Sequence, residues 1–453
     1  MAVNEKPCEL TVINAVASIK EGSLTCVELL NSCLERIDRL EGEIKAWALL
    51  DRDGAREEAR RLDRELIKGK PSGPLYGIPV GIKDIFYTEG MRTEAGSSLW
   101  AGFIPSYDAA SVARLKKAGA IILGKTHTTE FAYFDPAPTR NPWNTSCTPG
   151  GSSSGSAAAV AAGMCPLALG SQTVGSTLRP ASYNGIVGFK PEHGRISLYG
   201  IMPMSPTMDH VGIFARNVDD VVLVLQILAG YDSRDPQSLN QPFPDYISST
   251  VNVQKPHLGL VHQYFFDNAD DEMKQQTEQV VKRLSEAGAI VEDVTLPASF
   301  FSVSETRRII LGVEDYAYHQ EKFESNKEGY TASVRTLLEE GSHIPAVEYA
   351  RALQSRLQQR ADITALMNSF DALITPGAPG PAPHDLTITG DPVMQLPWTT
   401  MGIPAINLPA GLSDDGLPLG VQLVGKTYDE KGLLDIARWC EAVLDVHLQP
   451  PFD

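Results

Sequence analysis

Between Asn141 and Leu178 the chain has no Asp, Glu, Lys, Arg or His. At the chain-wide charged fraction of 21%, roughly eight charges belong in a stretch of that length. Burying an unpaired charge is costly, so a segment without charge is one that can run through a protein interior. Other absences narrow the class. The formal net charge is −17, so an excess of base is lacking, and phosphate-rich partners such as nucleic acid or an anionic membrane are disfavoured. Only six cysteines occur in 453 residues and none forms a CxxC pair, which argues against zinc and thiol-redox motifs and for reduced, buried thiols. No run of eighteen apolar residues exists; Ala157–Ala162 is short and is followed by Gly163 and Pro166. The first ten residues carry acids and no apolar run, so no leader is expected. These readings make a cytoplasmic protein with no nucleic-acid or membrane partner the expectation; a small-molecule substrate and a monomeric or homodimeric state are expected beside it, though composition fixes neither.

What is present is α/β grammar. Thr25-x-x-Glu28 has the form of a capping box ahead of an apolar face at Leu29, Leu30, Cys33, Leu34 and Ile37. Residues 52–68 read as an exposed helix stopped by Gly69 and Pro71. Leu75–Phe86 reads as a buried strand punctuated by glycine. The apolar positions 109–118, then Gly119, then Ile121-Ile122-Leu123 make a helix–Gly–strand unit, and 273–287, Gly288 and 290–296 repeat it. Further helices are predicted at 218–229 and 433–444, and strands at 372–375 and 404–408. Residues 231–256 read as a surface excursion, and the Pro/Gly-rich stretch 375–392 as a loop beside an active site. The fold class that follows is α/β, one large domain over 1–453. Its centre is a mixed, mostly parallel twisted sheet with helices on both faces. N-terminal helices (8–70), a core (72–230), a variable region (231–370) and a C-terminal return (371–453) divide it.

Three features carry chemistry. Lys83 lies on an apolar strand, where a lysine is seldom buried without a partner. Ser152-Ser153-Ser154 follows Gly150-Gly151 and precedes an alanine-rich run, as a loop leading into a helix does. Ser176 follows Val174-Gly175. A phosphate-binding loop needs a Lys after the second glycine, and Gly155 has none. A nucleophile elbow needs G-x-S-x-G, which neither serine site provides, and His127, His193 and His210 are isolated. A Ser–His–Asp enzyme is therefore a minor reading.

Taken together, Leu75–Lys83, Asn141-Pro142-Trp143-Asn144, the Gly150–Gly163 run and Gly170–Pro191, ending in Gly188-Phe189-Lys190-Pro191, resemble the amidase signature family. The likeness extends to Ser205–Arg216, Asp371–Pro376 and Leu408–Val424, touching nearly the whole chain. The resemblance implies a Ser–cis-Ser–Lys triad: Lys83 as base, Ser152 as relay after a cis bond from Gly151, and Ser176 as nucleophile. It also implies an oxyanion hole from the backbone N–H groups of Thr173, Val174, Gly175 and Ser176. No metal or organic cofactor belongs to that mechanism. Two positions depart from the family pattern: Gln172 stands where Asp is common, and Val174 where glycine is common. Arg179 is expected to be a structural cation.

The substrate is less marked. Phe131, Tyr133 and Phe134 before the signature, with Met394 and Trp398 in the C-terminal region, are candidate walls of a pocket for an aryl or apolar group. A small amide or carbamate hydrolase is the resulting expectation, urethanase included. Two alternatives stand beside it. One is the glutaminase subunit of a tRNA-dependent amidotransferase, against which the Gln172 replacement and the short tail after the last helix weigh. The other is an inactive binding protein on the same fold, against which the intact Lys83, Ser152 and Ser176 weigh.

Overall fold

The computed structural model describes residues 6–69, 73–248 and 255–452. Pro71, the first five residues of the N-terminal reading and residues 249–254 of the surface excursion lie outside them. The local signals act as written. Thr25 caps the helix Cys26–Ile44, its hydroxyl accepting from the Glu28 amide while the Glu28 carboxylate accepts from the Thr25 amide. Asn217 and Asp270 cap the helices Val218–Leu228 and Asp271–Glu286 through the same kind of bond.

Among the described residues, eleven strands form one sheet: β1 (Trp47–Leu50), β2 (Pro79–Lys83), β3 (Ile121–Thr126), β4 (Leu167–Gln172), β5 (Val187–Lys190), β6 (His210–Ala215), β7 (His257–Leu260), β8 (Ile290–Asp293), β9 (Ala372–Pro376), β10 (Ala405–Leu412) and β11 (Pro418–Val424). Their order is β1-β3-β2-β4-β6-β5-β10-β11-β9-β7-β8. The α/β class and the mixed sheet agree with the sequence reading; a parallel majority does not. Only β2/β3, β2/β4, β7/β8 and β7/β9 are parallel, and the other six pairings are antiparallel. The reason lies in the connections. Helix–Gly–strand units impose parallel crossovers where a helix intervenes, as between β2 and β3 or β7 and β8. The middle of the sheet is built otherwise. There β10 and β11 form a hairpin turned at Gly416, whose φ of 75° suits glycine, and they zip antiparallel between β5 and β9.

The charge-free stretch is the centre of this architecture. Every residue from 147 to 192 is buried. The helix Ser154–Ala161 is buried on all sides, and its small residues let it press on neighbouring backbone. A Cβ on Gly155 would stand 2.2 Å from the Ala46 carbonyl oxygen and 2.5 Å from the His127 nitrogen, so only glycine fits. All six cysteines are buried and unpaired. No helix of the described residues is long and apolar enough to cross a membrane.

Candidate active site

Lys83 is the last residue of β2, and Ser171 and Gln172 end the neighbouring parallel strand β4. Carboxyl ends of parallel strands are where α/β sheets gather functional groups. The Lys83 amine is fully buried, with Nζ 2.7 Å from Ser152 Oγ and 2.8 Å from Ser171 Oγ. Burial drives its pKa well below that of an ordinary lysine, and the nearby Asp209 carboxylate only partly opposes this. Asp209 is itself saturated, accepting from Thr173 Oγ1 (2.5 Å) and from the amides of Met204 (2.9 Å) and Ser205 (3.1 Å). Its burial raises its carboxyl to about 6. A neutral amine beside two hydroxyls can accept a proton, which a solvated ammonium cannot.

The peptide bond between Gly151 and Ser152 is cis. The Gly151 carbonyl accepts from Arg179 Nη2 at 2.6 Å, and Arg179 Nη1 donates to the Gly390 carbonyl at 2.6 Å. A buried cation thus ties the serine loop to the C-terminal loop, the placement of a structural residue.

Ser176 is 8% exposed, at the end of the loop between β4 and the helix Leu178–Asn184. Its hydroxyl makes no hydrogen bond among the described residues, and the amides of Val174, Gly175 and Ser176 likewise have no acceptor there. Free donors beside a free hydroxyl are what an oxyanion site requires. Thr173 is engaged through its side chain by Asp209. Gln172 organises the loop. Its Oε1 accepts from the amides of Thr177 (2.8 Å) and Leu178 (2.9 Å), while Nε2 donates to Thr399 Oγ1 (2.8 Å). A carboxylate could accept those two bonds but could not donate the third. The Val174 side chain is buried, and its carbonyl accepts from Thr399 Oγ1 at 2.7 Å. A Cβ on Gly175 would fall 2.8 Å from Pro392, so the loop passes in contact with the 391–395 segment.

The aromatic residues separate. Tyr133 and Phe134 are half-buried, pack edge to face at 4.8 Å, and Phe134 lies 6.0 Å from the Arg179 guanidinium. Phe131 is buried against His319, with centroids 4.5 Å apart. Met394 and Trp398 have no exposed surface and belong to a second apolar cluster, where Trp398 stacks on Phe265 at 5.4 Å. These two hold the C-terminal loop in place and present no wall to a substrate. Of the three isolated histidines, His210 is bonded to the Met208 carbonyl and His193 to that of Pro206, and neither reaches a serine hydroxyl.

Sequence reasoning missed Ser171, Asp209, Arg307 and Asp315. The last two lie on the helix Val303–Ser325, with Arg307 in electrostatic reach of Tyr133, Tyr264 and Asp391. The Arg307 Nε is buried without a partner among the described residues. A signal existed: Arg307, Leu311, Asp315 and His319 fall at a spacing of four, on one helical face.

This is an α/β enzyme acting on carbon–nitrogen bonds, and the family can be stated. Residues 28–434 match the Amidase family model, and the chain belongs to that family. Curated relatives include a glutamyl-tRNA(Gln) amidotransferase subunit of Carboxydothermus hydrogenoformans, 35% identical over 96% of this chain and 97% of that one. Its counterpart in Geobacter sp. strain M21 is 35% identical over 97% and 98%. Among solved structures, the peptide amidase of Stenotrophomonas maltophilia superimposes with a TM-score of 0.87 at 30% identity, covering 98% of this chain and 99% of that one. A chain from a vestigial protein complex that bears on the origins of an s-triazine catabolic enzyme gives 0.89 at 28%, covering 98% and 100%.

Proposed function

We propose that this chain cleaves the C–N bond of a small amide through an acyl-enzyme on Ser176. The observation that carries the reading is the buried Lys83 amine 2.7 Å from Ser152 Oγ. Lys83 takes the Ser152 proton as Ser152 takes that of Ser176, and Ser176 Oγ attacks the carbonyl carbon. The carbonyl oxygen becomes an oxyanion facing the free amides of Val174, Gly175 and Ser176, with Thr173 at the start of the same loop. The proton returns through Ser152 to the departing nitrogen as the C–N bond breaks. Water then attacks the ester by the same relay and frees the acid.

For the substrate, the charges at the rim favour an amide that carries charges of its own. Arg307 offers an unpartnered Nε, and Asp391 stands in its electrostatic reach, on the segment that abuts Gly175. Glutamine is the simplest such amide, and the names of the curated relatives agree with a glutaminase role serving an amidotransferase. Half-buried Tyr133 and Phe134 support the second reading, a stand-alone hydrolase of an aryl or apolar amide or carbamate. A fluorophosphonate that labels Ser176 in the wild type but not in Lys83→Ala supports the triad; labelling elsewhere, or none on folded protein, overturns it. Ammonia release from glutamine against release from p-nitroanilides and carbamates then decides between the two substrates.

A further inference from the structure

The antiparallel ladder between β4 and β6 ends at the pair Gln172 and His210. One residue beyond, side chains join the two chains instead. Thr173 Oγ1 donates to Asp209 Oδ1 at 2.5 Å, and both residues are buried. That length belongs to a hydroxyl bonded to a carboxylate. Ending the ladder this way has a consequence. A ladder continued past Gln172 would consume the amides that follow, since strand backbone groups pair with their neighbours. Closed by Thr173 and Asp209, it releases the loop, and the amides of Val174, Gly175 and Ser176 have no acceptor among the described residues.

Asp209 is itself held on every side. Its other oxygen, Oδ2, accepts from the amides of Met204 (2.9 Å) and Ser205 (3.1 Å). The Ser205 carbonyl in turn accepts from the amides of Met208 (2.8 Å) and Asp209 (2.7 Å), which closes a tight turn. Glu314, on the helix Val303–Ser325, anchors that turn by accepting from Ser205 Oγ (2.5 Å) and the Thr207 amide (3.1 Å), and it also accepts from the Tyr349 hydroxyl (2.8 Å). β6 meets the far end of the Ser176 loop as well: a Cβ on Gly212 would stand 2.0 Å from Thr177 Oγ1. The loop therefore has three side-chain anchors. Gln172 holds its exit, Thr399 holds the Val174 carbonyl, and Asp209 holds its entry. A carboxylate only accepts, so the Thr173 hydroxyl is fixed in one direction.

We propose that Asp209 is a positioning residue for the oxyanion site: through Thr173 it fixes where the chain leaves β4, and so where the amides of Val174, Gly175 and Ser176 point. It acts through the loop and touches no reacting atom. The inference rests on the acyl-enzyme reading and adds to it a residue outside the triad and the loop. Asparagine cannot replace this acid. The two amides on Oδ2 demand an acceptor there, which turns the carboxamide NH2 toward Thr173 Oγ1. An N–H···O bond needs about 2.9 Å, and 2.5 Å is what the site provides.

The test reads the second-order rate at which a fluorophosphonate labels Ser176, because the tetrahedral adduct puts an oxygen at the oxyanion site and no substrate need be known. Asp209→Asn and Thr173→Val should each label about 10- to 100-fold more slowly than the wild type, somewhat less than the loss of a donor outright. One bond carries both losses, so the double variant should stay within about threefold of the slower single, and losses that multiply overturn the proposal. Thr173→Ser regains the hydroxyl and should label at least about fivefold faster than Thr173→Val; equal rates overturn it. On the amide that the wild type turns over, kcat should fall while KM moves by less than about threefold, and a loss carried by KM counts against the assignment. Variants that melt lower yet label at the wild-type rate would give the bond to the fold alone and overturn it too. Should Asp209→Asn not fold, the two Thr173 variants decide. A wild type labelled in a Lys83-dependent way, with Thr173 and Asp209 variants labelled equally fast, sinks this inference alone, whereas a wild type unlabelled at Ser176 sinks the parent reading.

Discussion

Gln172 Nε2 donates to Thr399 Oγ1 at 2.8 Å, and the same hydroxyl lies 2.7 Å from the Val174 carbonyl. A single side chain at the end of β4 thereby fixes both ends of the loop that carries Ser176, one through the amides of Thr177 and Leu178 and the other through Thr399. Gln172→Glu keeps the acceptor and loses the donor, so the loop is freed on one side only. Turnover is expected to fall about 10-fold in Gln172→Glu and about 100-fold in Gln172→Ala, with KM changed less than kcat, because oxyanion donors act on the transition state. Steady-state kinetics on any accepted amide check this.

Lys83→Ala should lower kcat by several orders of magnitude while the far-UV spectrum stays native, since a base acting through a relay has no substitute. Lys83→Arg should be equally inactive at every pH, because a guanidinium stays protonated. An active arginine variant would contradict the proton-acceptor role.

The pH profile follows from the direction of the Lys83 shift. Its folded pKa lies well below 10.5. Activity should rise as pH passes the folded value and then stay level through the range where a solvated lysine is still charged. Stability carries the same sign. Between the folded value and 10.5 the unfolded chain binds a proton that the folded chain does not, so stability falls as pH is lowered through that window. Lys83→Met lacks this dependence, and thermal melts of both proteins across pH 6 to 10.5 (roughly, the span from neutrality to the lysine reference value) should diverge in the wild type's favour toward alkaline pH.

Arg307→Met should raise KM for glutamine by roughly 10- to 100-fold, the loss of a charge-assisted contact, and leave an uncharged anilide nearly unaffected. Parallel loss on both substrates would place Arg307 in the fold and not at the rim.

Trp398→Ala should cost about 3–5 kcal/mol of stability, as expected for emptying a packed aromatic site. Denaturant titration measures it, and a selective KM effect with unchanged stability would return Trp398 to the substrate wall.

The sequence made much of this legible where one residue type does one job. The charge void from Asn141 to Leu178 predicted a buried segment, and it is buried except at residues 143–146, which reach the surface. The pairing of Lys83 with Ser152, 69 positions apart, comes from the resemblance to the amidase signature family; the lysine by itself reads as a strand-end residue reaching solvent or pairing with Asp84. Glycine stops and caps located the helices Ala110–Lys117, Val218–Leu228 and Asp271–Glu286 within a residue or two. The helix Val303–Ser325 was not singled out, because its inward face carries Arg307, Asp315 and His319 and so breaks the apolar period. Strand direction was illegible for a related reason: local periodicity says that a strand exists, while its neighbours are chosen by residues elsewhere in the chain, from the β10/β11 hairpin to the pairing of Ala405 with Lys190. Met394 and Trp398 look alike in sequence to pocket-lining residues, and only the surrounding Phe265 and Phe300 make them core.

The placing of β10 and β11 between β5 and β9 has a consequence for biosynthesis. A nascent chain that has emerged only as far as β9 lacks the hairpin that bridges the two parts of the sheet. Until residue 424 leaves the ribosome, β5 and β9 each present an unpaired edge, open to association with other chains. Translational pausing before that point therefore exposes the molecule at its middle, and the last strands to be made are the ones that join it.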